Sequence, residues 1–444
     1  MRAERRRRLV LPKQRANSKE EELVAEAKPF EVPKRWVWEA YKRVKANRGA
    51  AGVDDQSLVD FEKNLEGNLY KVWNRMSSGT YFPPPVRLVE IPKGGGGMRP
   101  LGIPTVGDRI AQTVVKMVLE PIVEPHFHED SYGYRQGKSA HDALGIARKR
   151  CWRADWVIDL DIRDFFESLD HDLILKAVEH HTDNPWVRLY IARWLRAPVE
   201  MQDGTRVERV RGSPQGGVIS PLLANLFMHY AFDAWMARSF PRVRFERYAD
   251  DAVVHCVSEA QARYVMEAIR ERLADCGLEL HPDKTKIVYC KDDDRPGEHE
   301  HVAFDFLGYT FQPRRARNRY GKFFVSFLPA VSTKAARAVR KTIREWRMAS
   351  TRNNQSLEDL ARHVNPVVRG WTNYYGRFYR SRWKQVLRHL DRALAAWVCR
   401  KFRRYRRRER AATHWLGRIA QRDPNLFAHW RLGVLPAAGA GGAG

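Results

Sequence analysis

Two adjacent carboxylates, Asp250 and Asp251, interrupt a stretch of strand-forming residues between Arg244 and Cys256. Aromatic and β-branched residues flank the acids on both sides, which predicts a tight hairpin with the two aspartates at its tip. Neighbouring carboxylates repel each other, and both stay ionised at low cost only when a cation lies between them. The pair therefore indicates a metal-binding site, although a solvated Asp-Asp turn is the commoner meaning of this dipeptide taken alone.

A third carboxylate for such a site is available from the strand predicted at 156–162. In this strand Asp159 and Asp161 share one face, while apolar residues occupy the other. Asp161 comes near the end of the strand, just before a turn, and is well placed to join the hairpin aspartates. For Asp159 the pattern favours an ordinary strand acid that is solvated or hydrogen-bonded.

Two glycine-containing loops carry groups that could bind an anion. Four glycines lie between Lys93 and Arg99, so backbone amides and cations could together hold a phosphate chain. These residues alone favour a plain glycine-rich hairpin with surface charges. The loop at 131–137 contains Tyr132 and Arg135, and its aromatic and basic side chains suit a nucleic-acid backbone with bases stacked on tyrosine.

The elements that position these groups follow from apolar periodicity. The helix predicted from Pro221 has a wide apolar stripe, which marks a central core helix leading into the aspartate hairpin. Other helices are predicted at 58–76, 108–124 and 260–276, and other strands at 86–91, 278–290 and 304–311.

The composition indicates a polyanionic partner. The chain has 444 residues, a formal charge of +26 and a pI near 10.1, and charge of this size in a compact fold calls for a polyanion to neutralise it. Nucleic acid is the first expectation and a membrane surface the second. The sequence lacks a long apolar stretch and a signal-peptide core, so a soluble intracellular protein is expected. The five cysteines form no CxxC pair, which argues against a zinc finger and a disulfide framework.

After residue 330 the chain changes to basic helices with many aromatic residues, including Trp383 and Trp397. Between Lys401 and Arg410 seven residues are lysine or arginine. A solvated helix face would account for such a run, but aromatic residues interleaved with this much positive charge favour an RNA or DNA surface. The residues expected to contact nucleic acid there are Lys401, Arg403, Arg404, Arg406, Arg407 and Arg408.

Seven short motifs of this chain stand in the order typical of reverse transcriptases. They are RPLGIPT at 99–105, SYGYRQG at 131–137, LDIRDFFESLDH at 160–171, SPQGG at 213–217, YADD at 248–251, HPDKTK at 281–286 and FLGY at 306–309. Two upstream stretches, 44–52 and 73–85, resemble the N-terminal extension of one branch. Over roughly residues 33–435 the chain therefore resembles the bacterial group II intron-encoded reverse transcriptase/maturase family.

The resemblance implies roles for individual residues. Asp161, Asp250 and Asp251 would bind two Mg²⁺ ions, with Mn²⁺ as a substitute, and catalyse nucleotidyl transfer. The other implied roles are an aromatic gate favouring deoxynucleotides for Phe166, a nucleotide-pocket amide for Gln215, triphosphate contacts for Lys93 and Arg99, and a place near the primer end for Lys284. The implied triphosphate contacts replace the plain-hairpin interpretation of the glycine loop.

The implied fold class is α+β. A right-hand polymerase, whose fingers and palm carry an antiparallel sheet, would be followed by an all-α thumb and maturase domain. The implied boundaries are a basic flexible arm at 1–32, fingers and palm at 33–330, a helical thumb and RNA-binding maturase domain at 331–435, and a disordered tail at 436–444.

The implied function is that of an RNA-directed DNA polymerase that also binds its parent group II intron RNA in a ribonucleoprotein. It would assist splicing of the intron and support retrohoming by copying it into DNA. Its other partners would be target DNA and deoxynucleoside triphosphates, with no membrane, and it would act in the bacterial cytoplasm at the nucleoid. Two alternatives stay open: a non-enzymatic splicing factor, and a reverse transcriptase domesticated for phage defence or CRISPR adaptation.

The C-terminus departs from the pattern of many family members, which end in a DNA-binding region and an HNH endonuclease with cysteine pairs. Here 34 residues follow Arg410, and no cysteine follows Cys399. The expectation is an endonuclease-lacking lineage, in which priming uses another DNA 3′ end such as a nascent strand at a replication fork.

Overall fold

A computed structural model describes residues 28–92 and 97–436. The chain divides into two compact units. The first contains the residues up to Ile91 with Pro100–His126 and Phe166–Phe227, and the second contains Pro92–Arg99, Phe127–Phe165 and the residues from Met228 onward. Lys93, most of the predicted arm at 1–32 and nearly all of the predicted tail at 436–444 lie outside the described residues.

Helices make up most of both units, and several begin at the side-chain caps that their sequences contain. Ser139 and Asp142, for example, form a reciprocal capping box that fixes the start of one helix. The helices before residue 300 are α1 (Lys34–Asn47), α2 (Leu58–Glu62), α3 (Leu65–Ser77), α4 (Val106–Val123), α5 (Ala140–Cys151), α6 (Phe165–Ser168), α7 (His171–His181), α8 (Pro185–Arg196), α9 (Ser220–Met228), α10 (Ala234–Ser239) and α11 (Glu259–Asp275).

Within the described residues the strands form three sheets, with the orders β2-β1-β4-β5, β6-β7-β3-β8 and β11-β10-β9. The second and third sheets are antiparallel, whereas β1 and β4 pair in parallel. The strands are β1 (Val86–Pro92), β2 (Met98–Ile103), β3 (Trp156–Leu160), β4 (Val199–Glu200), β5 (Arg206–Val207), β6 (Arg244–Tyr248), β7 (Asp251–Cys256), β8 (Lys286–Tyr289), β9 (Phe304–Phe306), β10 (Tyr309–Arg317) and β11 (Phe323–Val331).

The middle of the β6-β7-β3-β8 sheet is covered on both faces. Val157 and Ile158 point to opposite sides of β3, and both are fully buried. Val157 packs in one apolar cluster with Leu144 and Ala147 of α5, and α11 contacts β3, β7 and β8. Buried packing on both sides fixes the register of these strands, because a shift of one residue would turn every side chain to the other face.

The C-terminal region is helical, as expected, but its aromatic residues serve a different purpose from the one predicted. Trp383 and Trp397 are almost fully buried in one apolar core that also contains Trp430. The prediction that the aromatic residues of this region form a nucleic-acid surface is wrong for these rings, because the amphipathic helices turn them inward. The helices are α12 (Thr333–Glu345), α13 (Met348–Thr351), α14 (Leu357–Tyr375), α15 (Arg380–Lys401) and α16 (Glu409–Arg422).

Two elements differ from the sequence-based expectation. The predicted core helix is interrupted between α9 and α10 by a π-helix at His229–Asp233. The strand predicted at 304–311 is in fact β9 and the start of β10, and β10 pairs with β11 over its whole length. Among the described residues, no helix is both long and apolar enough to cross a bilayer.

Candidate active site

The three predicted catalytic aspartates meet at one end of the β6-β7-β3-β8 sheet. Tyr248 pairs with Asp251, so Ala249 and Asp250 form a two-residue hairpin turn, and Ala249 has the left-handed φ of 61° that such turns need. Leu160 pairs with Ala252. Asp161 follows Leu160, and Asp251 precedes Ala252. Because the strands are antiparallel, the two aspartates therefore occupy the next pair of positions in the same register.

Crowding of carboxylates perturbs these acids. Burial raises the pKa of Asp251 well above its ordinary value, and the neighbouring carboxylates raise it further; they belong to Asp159, Asp250 and Asp161. Burial and the charge of Asp161 also raise the pKa of Asp250. The shifts identify a group of acids whose ionised forms oppose one another.

Asp159 is held by an ion pair on its own sheet. It lies opposite Lys286 of β8, whose Nζ is 3.8 Å from its carboxylate. Burial raises the pKa of Asp159 to about 7, while Lys286 opposes that shift. The pairing agrees with the expectation of an ordinary strand acid.

The predicted HPDKTK motif binds Asp161 through both backbone and side chain. His281 N donates to Asp161 O at 2.8 Å, and Asp161 N donates to Thr285 Oγ1 at 3.3 Å. Lys284 Nζ donates to Asp161 Oδ2 at 2.7 Å. The lysine predicted to lie near the primer end is therefore a cation placed directly on one of the three acids.

The chemistry of the three acids fits a divalent cation. Carboxylate oxygens are the preferred ligands of hard divalent ions, and a cation would relieve the repulsion that raises the pKa values of Asp250 and Asp251. Within residues 28–92 and 97–436, no three acidic, histidine or cysteine side chains are already grouped tightly enough to hold an ion. The ammonium of Lys284 occupies one carboxylate, and a bound ion would have to displace it.

The FLGY turn supports Asp251 from the side of the helical region. Leu307 and Gly308 both have left-handed backbone conformations, with φ of 50° and 75°. The Leu307 N–H donates to the Asp251 carboxylate and opposes the rise in its pKa. The Tyr374 hydroxyl of α14 in turn donates to Leu307 O at 2.8 Å, so a helix of the C-terminal region stabilises the turn that contacts the acid.

Arg247, which no sequence motif singled out, fixes the hairpin tip. Its side chain is fully buried and donates to both carboxylate oxygens of Asp233, at 2.7 and 2.6 Å. It also donates to Ala249 O and Ser131 Oγ, each at 2.8 Å. One guanidinium thus joins the π-helix, the turn of the aspartate hairpin and the SYGYRQG loop, a use for which its planar fork of donors is suited.

The SYGYRQG loop supports the hairpin more than it offers a nucleic-acid surface. Tyr132 N donates to Arg247 O at 2.8 Å, and the Tyr132 ring is buried, with its hydroxyl donating to Asp130. The prediction that Tyr132 stacks on a base is therefore wrong. Arg135 donates to two backbone carbonyls, those of His128 and Ser131, so its guanidinium braces the loop.

A second buried network holds the loop before the SYGYRQG motif against β6. Arg150 of α5 donates to Asp130 at 2.8 Å and to Glu246 at 2.6 Å. His255 Nε2 lies 2.6 Å from the other Glu246 oxygen. Buried charges of this kind are tolerated because each has a partner, and together they hold the strand that leads into the hairpin.

Phe166 and Gln215, the predicted nucleotide-pocket residues, are half-buried in the first unit. Ser213 N donates to Phe166 O at 2.7 Å, and Gln215 Nε2 donates to the Glu167 carboxylate at 2.8 Å. Gln215 borders a cavity of about 160 Å³ that Arg209 also lines. Burial lowers the pKa of Arg209 to about 10, and its Nη1 has no hydrogen-bond partner among the described residues.

The remaining predicted binding residues are mostly exposed. Arg99 is exposed, and its charge lowers the pKa values of Tyr134 and Asp250 against the effect of their burial. Lys401 is half-buried and donates to Gln355 O, so it serves the local structure. The arginines of the basic run are exposed to solvent; they are Arg403, Arg404, Arg406, Arg407 and Arg408.

Comparison with known proteins divides the chain into two matched regions. Residues 91–311 match the family described as reverse transcriptase (RNA-dependent DNA polymerase). Residues 336–415 match the group II intron, maturase-specific domain. The first match includes the three aspartates, and the second includes α14 and α15. Polymerases of this class use divalent metal ions.

The chain is similar in sequence to bacterial and fungal proteins. Protein YkfC of Escherichia coli is 32% identical over 66% of this chain and 84% of its own length. The group II intron-encoded protein LtrA of Lactococcus lactis is 34% identical over 43% of this chain, and the match covers 32% of LtrA. The putative COX1/OXI3 intron 1 protein of Saccharomyces cerevisiae is 31% identical over 44% of this chain, a match covering 23% of that protein. The matches thus span about a quarter to a third of the last two relatives.

The two regions occur in the order that the motifs predicted, with the aspartate hairpin inside the first and the basic helices in the second. On this basis the chain belongs to the group II intron-encoded reverse transcriptase/maturase family, whose enzymatic class is RNA-directed DNA polymerase.

Proposed function

We propose that this protein copies its parent group II intron RNA into DNA, assists the splicing of that intron, and thereby supports retrohoming. The observation that carries the proposal is the cluster of Asp161, Asp250 and Asp251 at one end of a sheet. Buried networks hold the hairpin that presents two of these acids, which is the preorganisation that nucleotidyl transfer needs.

Asp161, Asp250 and Asp251 would hold two Mg²⁺ ions, with Mn²⁺ able to substitute. When bound, the ions would activate the primer 3′-hydroxyl and neutralise charge on the α-phosphate and the leaving pyrophosphate. The chain's own groups orient the acids. The Leu307 N–H donates to Asp251, and Lys284 Nζ, which a bound ion would displace, donates to Asp161 Oδ2 at 2.7 Å.

We assign nucleotide binding to the residues that the resemblance implies, which are Lys93, Arg99, Phe166 and Gln215. Arg99 would contact the triphosphate, a role supported by its exposure and by its electrostatic effect on Asp250, and Lys93 would contact the triphosphate as well. Phe166 would exclude a ribose 2′-hydroxyl, and Gln215 would line the pocket. Arg209 adds a guanidinium with a free Nη1 to the cavity that Gln215 borders.

The polyanionic partners would be the intron RNA and the target DNA, and the small-molecule partners would be deoxynucleoside triphosphates. A formal charge of +26 supports this assignment. The exposed arginines at 403–408 would contribute to the RNA surface. We place the fingers and palm at 33–330 and the helical thumb and maturase domain at 331–435, and we expect the protein to act in the bacterial cytoplasm at the nucleoid.

The test is the isosteric change Asp250→Asn. It removes one carboxylate charge and keeps the size of the side chain, so we expect primer extension to fall by at least about 10³-fold. Binding of the intron transcript should stay within about threefold of the wild-type value, because phosphate binding depends on basic side chains and Asp250→Asn removes none of them. Gel-based primer extension and filter binding measure the two quantities.

The exposed acid Asp283 offers a matched control, because it lies in the HPDKTK motif and is not one of the three clustered acids. Asp283→Asn should extend primers at close to the wild-type rate. Full activity of Asp250→Asn would contradict the metal assignment. Splicing assistance by a wild-type protein that cannot extend a primer in Mg²⁺ would instead favour the non-enzymatic splicing factor.

A further inference from the structure

A basic cavity lies between α5 and the turn that joins α14 to α15, within the second unit. Its volume is about 480 Å³, and its lining includes Arg148, Lys149, Arg377 and Phe378. It is distinct from the aspartate site, because none of its lining residues belongs to the sheet end that presents the acids. None of its residues was singled out by the sequence motifs.

Positive charge in this cavity is not neutralised by the protein. Among the described residues, neither Arg148 nor Arg377 forms an ion pair, and the buried Nε of Arg148 has no hydrogen-bond partner. The only acid in the lining is Asp142. Its carboxylate already accepts the N–H and the hydroxyl of Ser139, at 2.9 and 2.6 Å, as part of the helix cap.

The arginine at the base of the cavity is fixed in place. The Arg148 guanidinium lies 5.1 Å from the ring centre of Trp152 and 5.3 Å from that of Phe378. Contacts with two aromatic rings restrain it, so it stays near Arg377 despite their like charges. Burial and the charge of Arg377 both lower the pKa of Arg148, which is the mark of a cation that lacks a counter-charge.

The opposite wall is also preformed. His141 Nε2 is 2.9 Å from Tyr374 O, and the two rings stack with their centres 5.1 Å apart. Phe378 is buried behind them. A ligand would therefore meet a rigid wall and a fixed guanidinium, with little ordering of side chains to oppose binding.

We propose that this cavity binds a backbone phosphate of an RNA strand. Two guanidinium groups suit a phosphate, because each can donate two parallel hydrogen bonds to its oxygens. Arg377 and Lys149 line the cavity and are exposed to solvent, so cations continue from the cavity to the surface, where a strand can enter and leave. A continuous strand needs such an entry and exit, whereas a free nucleotide favours a more enclosed site with polar groups for its base.

The inference deepens the proposed function, since it rests on this protein binding intron RNA, and it names one place where that RNA would be held. Arg148 lies in the region that matches reverse transcriptases, and Arg377 lies in the region that matches the maturase domain. A phosphate held by both arginines would tie the two matched regions to one RNA strand.

The first experiment measures how binding of a group II intron transcript depends on KCl concentration. Arg377→Gln removes one phosphate contact from an exposed position, so we expect weaker binding and a salt slope lower by about 1. Arg377→Lys should recover part of the affinity. Arg238→Gln is the matched control, because Arg238 is exposed outside the cavity and carries the same change of charge.

The outcomes separate this inference from the proposed function. If wild-type protein binds the transcript and Arg377→Gln has the slope and affinity of Arg238→Gln, the cavity does not hold RNA. If wild-type protein fails to bind the transcript at all, the proposed RNA-binding function fails instead. Circular dichroism and thermal unfolding of Arg377→Gln should match those of the wild-type protein, which shows that the variant is folded.

The second experiment identifies the source of the phosphate. Phenylglyoxal modifies accessible arginines, and mass spectrometry reports modification of Arg148 and Arg377 in the wild-type protein. We expect the intron transcript to protect both residues, and dATP or inorganic phosphate at the same phosphate concentration to leave them reactive. Equal protection by dATP would overturn the assignment to RNA and favour a nucleotide site, and no protection by the transcript would overturn it altogether.

Discussion

Arg247 shows how much of this site depends on a residue with no direct part in the chemistry. Its guanidinium holds the Ala249 carbonyl at 2.8 Å, and Ala249 is the residue whose left-handed backbone turns the chain between Tyr248 and Asp250. The same guanidinium donates two hydrogen bonds to Asp233. The fully buried Asp233 carboxylate therefore fixes the position of the turn through Arg247. Arg247 is therefore a positioning residue.

Lysine at position 247 would keep the charge and lose the fork of donors. We expect Arg247→Lys to lower kcat for primer extension by about 10- to 100-fold, because small displacements of catalytic groups cost this much. KM for the deoxynucleotide should change little, since Arg247 is buried away from any ligand. Steady-state kinetics measures both quantities.

Arg244→Lys, at the exposed start of the same strand, is the control and should leave kcat unchanged. Urea unfolding of Arg247→Lys should show a loss of about 2–4 kcal/mol, as hydrogen bonds to a buried carboxylate are lost. A variant that loses stability and keeps its kcat would show that Arg247 has only a structural role.

The sequence pattern singled out the three acids but not the residues that hold them. Asp250 and Asp251 are visible because two adjacent carboxylates in a strand pattern are unusual, and Asp161 follows from its place at a strand end. Arg247 precedes them and looks like any surface arginine. Its burial depends on pairing with Asp233. Hydrophobic periodicity does not predict that two charged residues will form an ion pair in the core.

At the level of elements, the SYGYRQG loop and the aspartate hairpin are packed backbone to backbone. Ser131 bridges to Arg247 in parallel, and Gly133 approaches the turn so closely that a Cβ there would lie 2.5 Å from Ala249 N. No side chain can be accommodated at that distance without moving the hairpin. The glycine in this motif is therefore a steric requirement of the active site.

Gly133→Ala should displace the hairpin turn. We expect a loss of about 1–3 kcal/mol of unfolding free energy from overpacking and a fall in primer extension of at least about tenfold. Gly370→Ala on α14 is the matched control, since a Cβ there meets nothing within 4 Å, and it should be neutral or stabilising. Thermal unfolding and primer extension are measured on both variants. Wild-type activity in Gly133→Ala would show that the close approach of Gly133 to Ala249 N is not required for catalysis.

Elements with a strong single periodicity were predicted well, and those shaped by their neighbours were not. The helices at 58–76, 108–124 and 260–276 match α2 with α3, α4 and α11 to within a few residues. β11 was missed because its sequence, Phe323–Val331, is apolar without alternation, and its pairing partner β10 is rich in arginine. Pairing with β10 over nine positions stabilises β11 as a strand, although its local sequence does not predict one.

For the whole molecule, the net charge indicates the class of partner but does not show which basic residues contact it. The net charge of +26 favours nucleic acid, yet several basic side chains serve the fold: Arg150 and Arg247 are paired inside the second unit, and Lys401 is bound to Gln355 O. The exposed arginines of 403–408 are among the described cations that are free to meet phosphates.

Replacement of Arg406, Arg407 and Arg408 by glutamine should weaken binding of the intron transcript and lower its salt slope by about 2–3, because three phosphate contacts are lost. Primer extension on a short template should persist. The triple change of Arg238, Arg242 and Arg244 to glutamine alters the net charge equally at exposed positions and is the control. Equal effects of the two triple variants would mean that only overall charge matters.

The π-helix at His229–Asp233 has a consequence for how this gene can vary. A π-turn contains one residue more than an α-turn, so it rotates everything after it by about 100° relative to an uninterrupted helix. Loss of a single codon within 229–233 would restore the regular helix and turn the Asp233 carboxylate away from Arg247. Such a deletion would change neither the hydropathy pattern nor any named motif. We expect it to inactivate the polymerase, because the Asp233–Arg247 pair would be lost. The number of residues in this segment is therefore constrained, in a way that substitutions do not reveal.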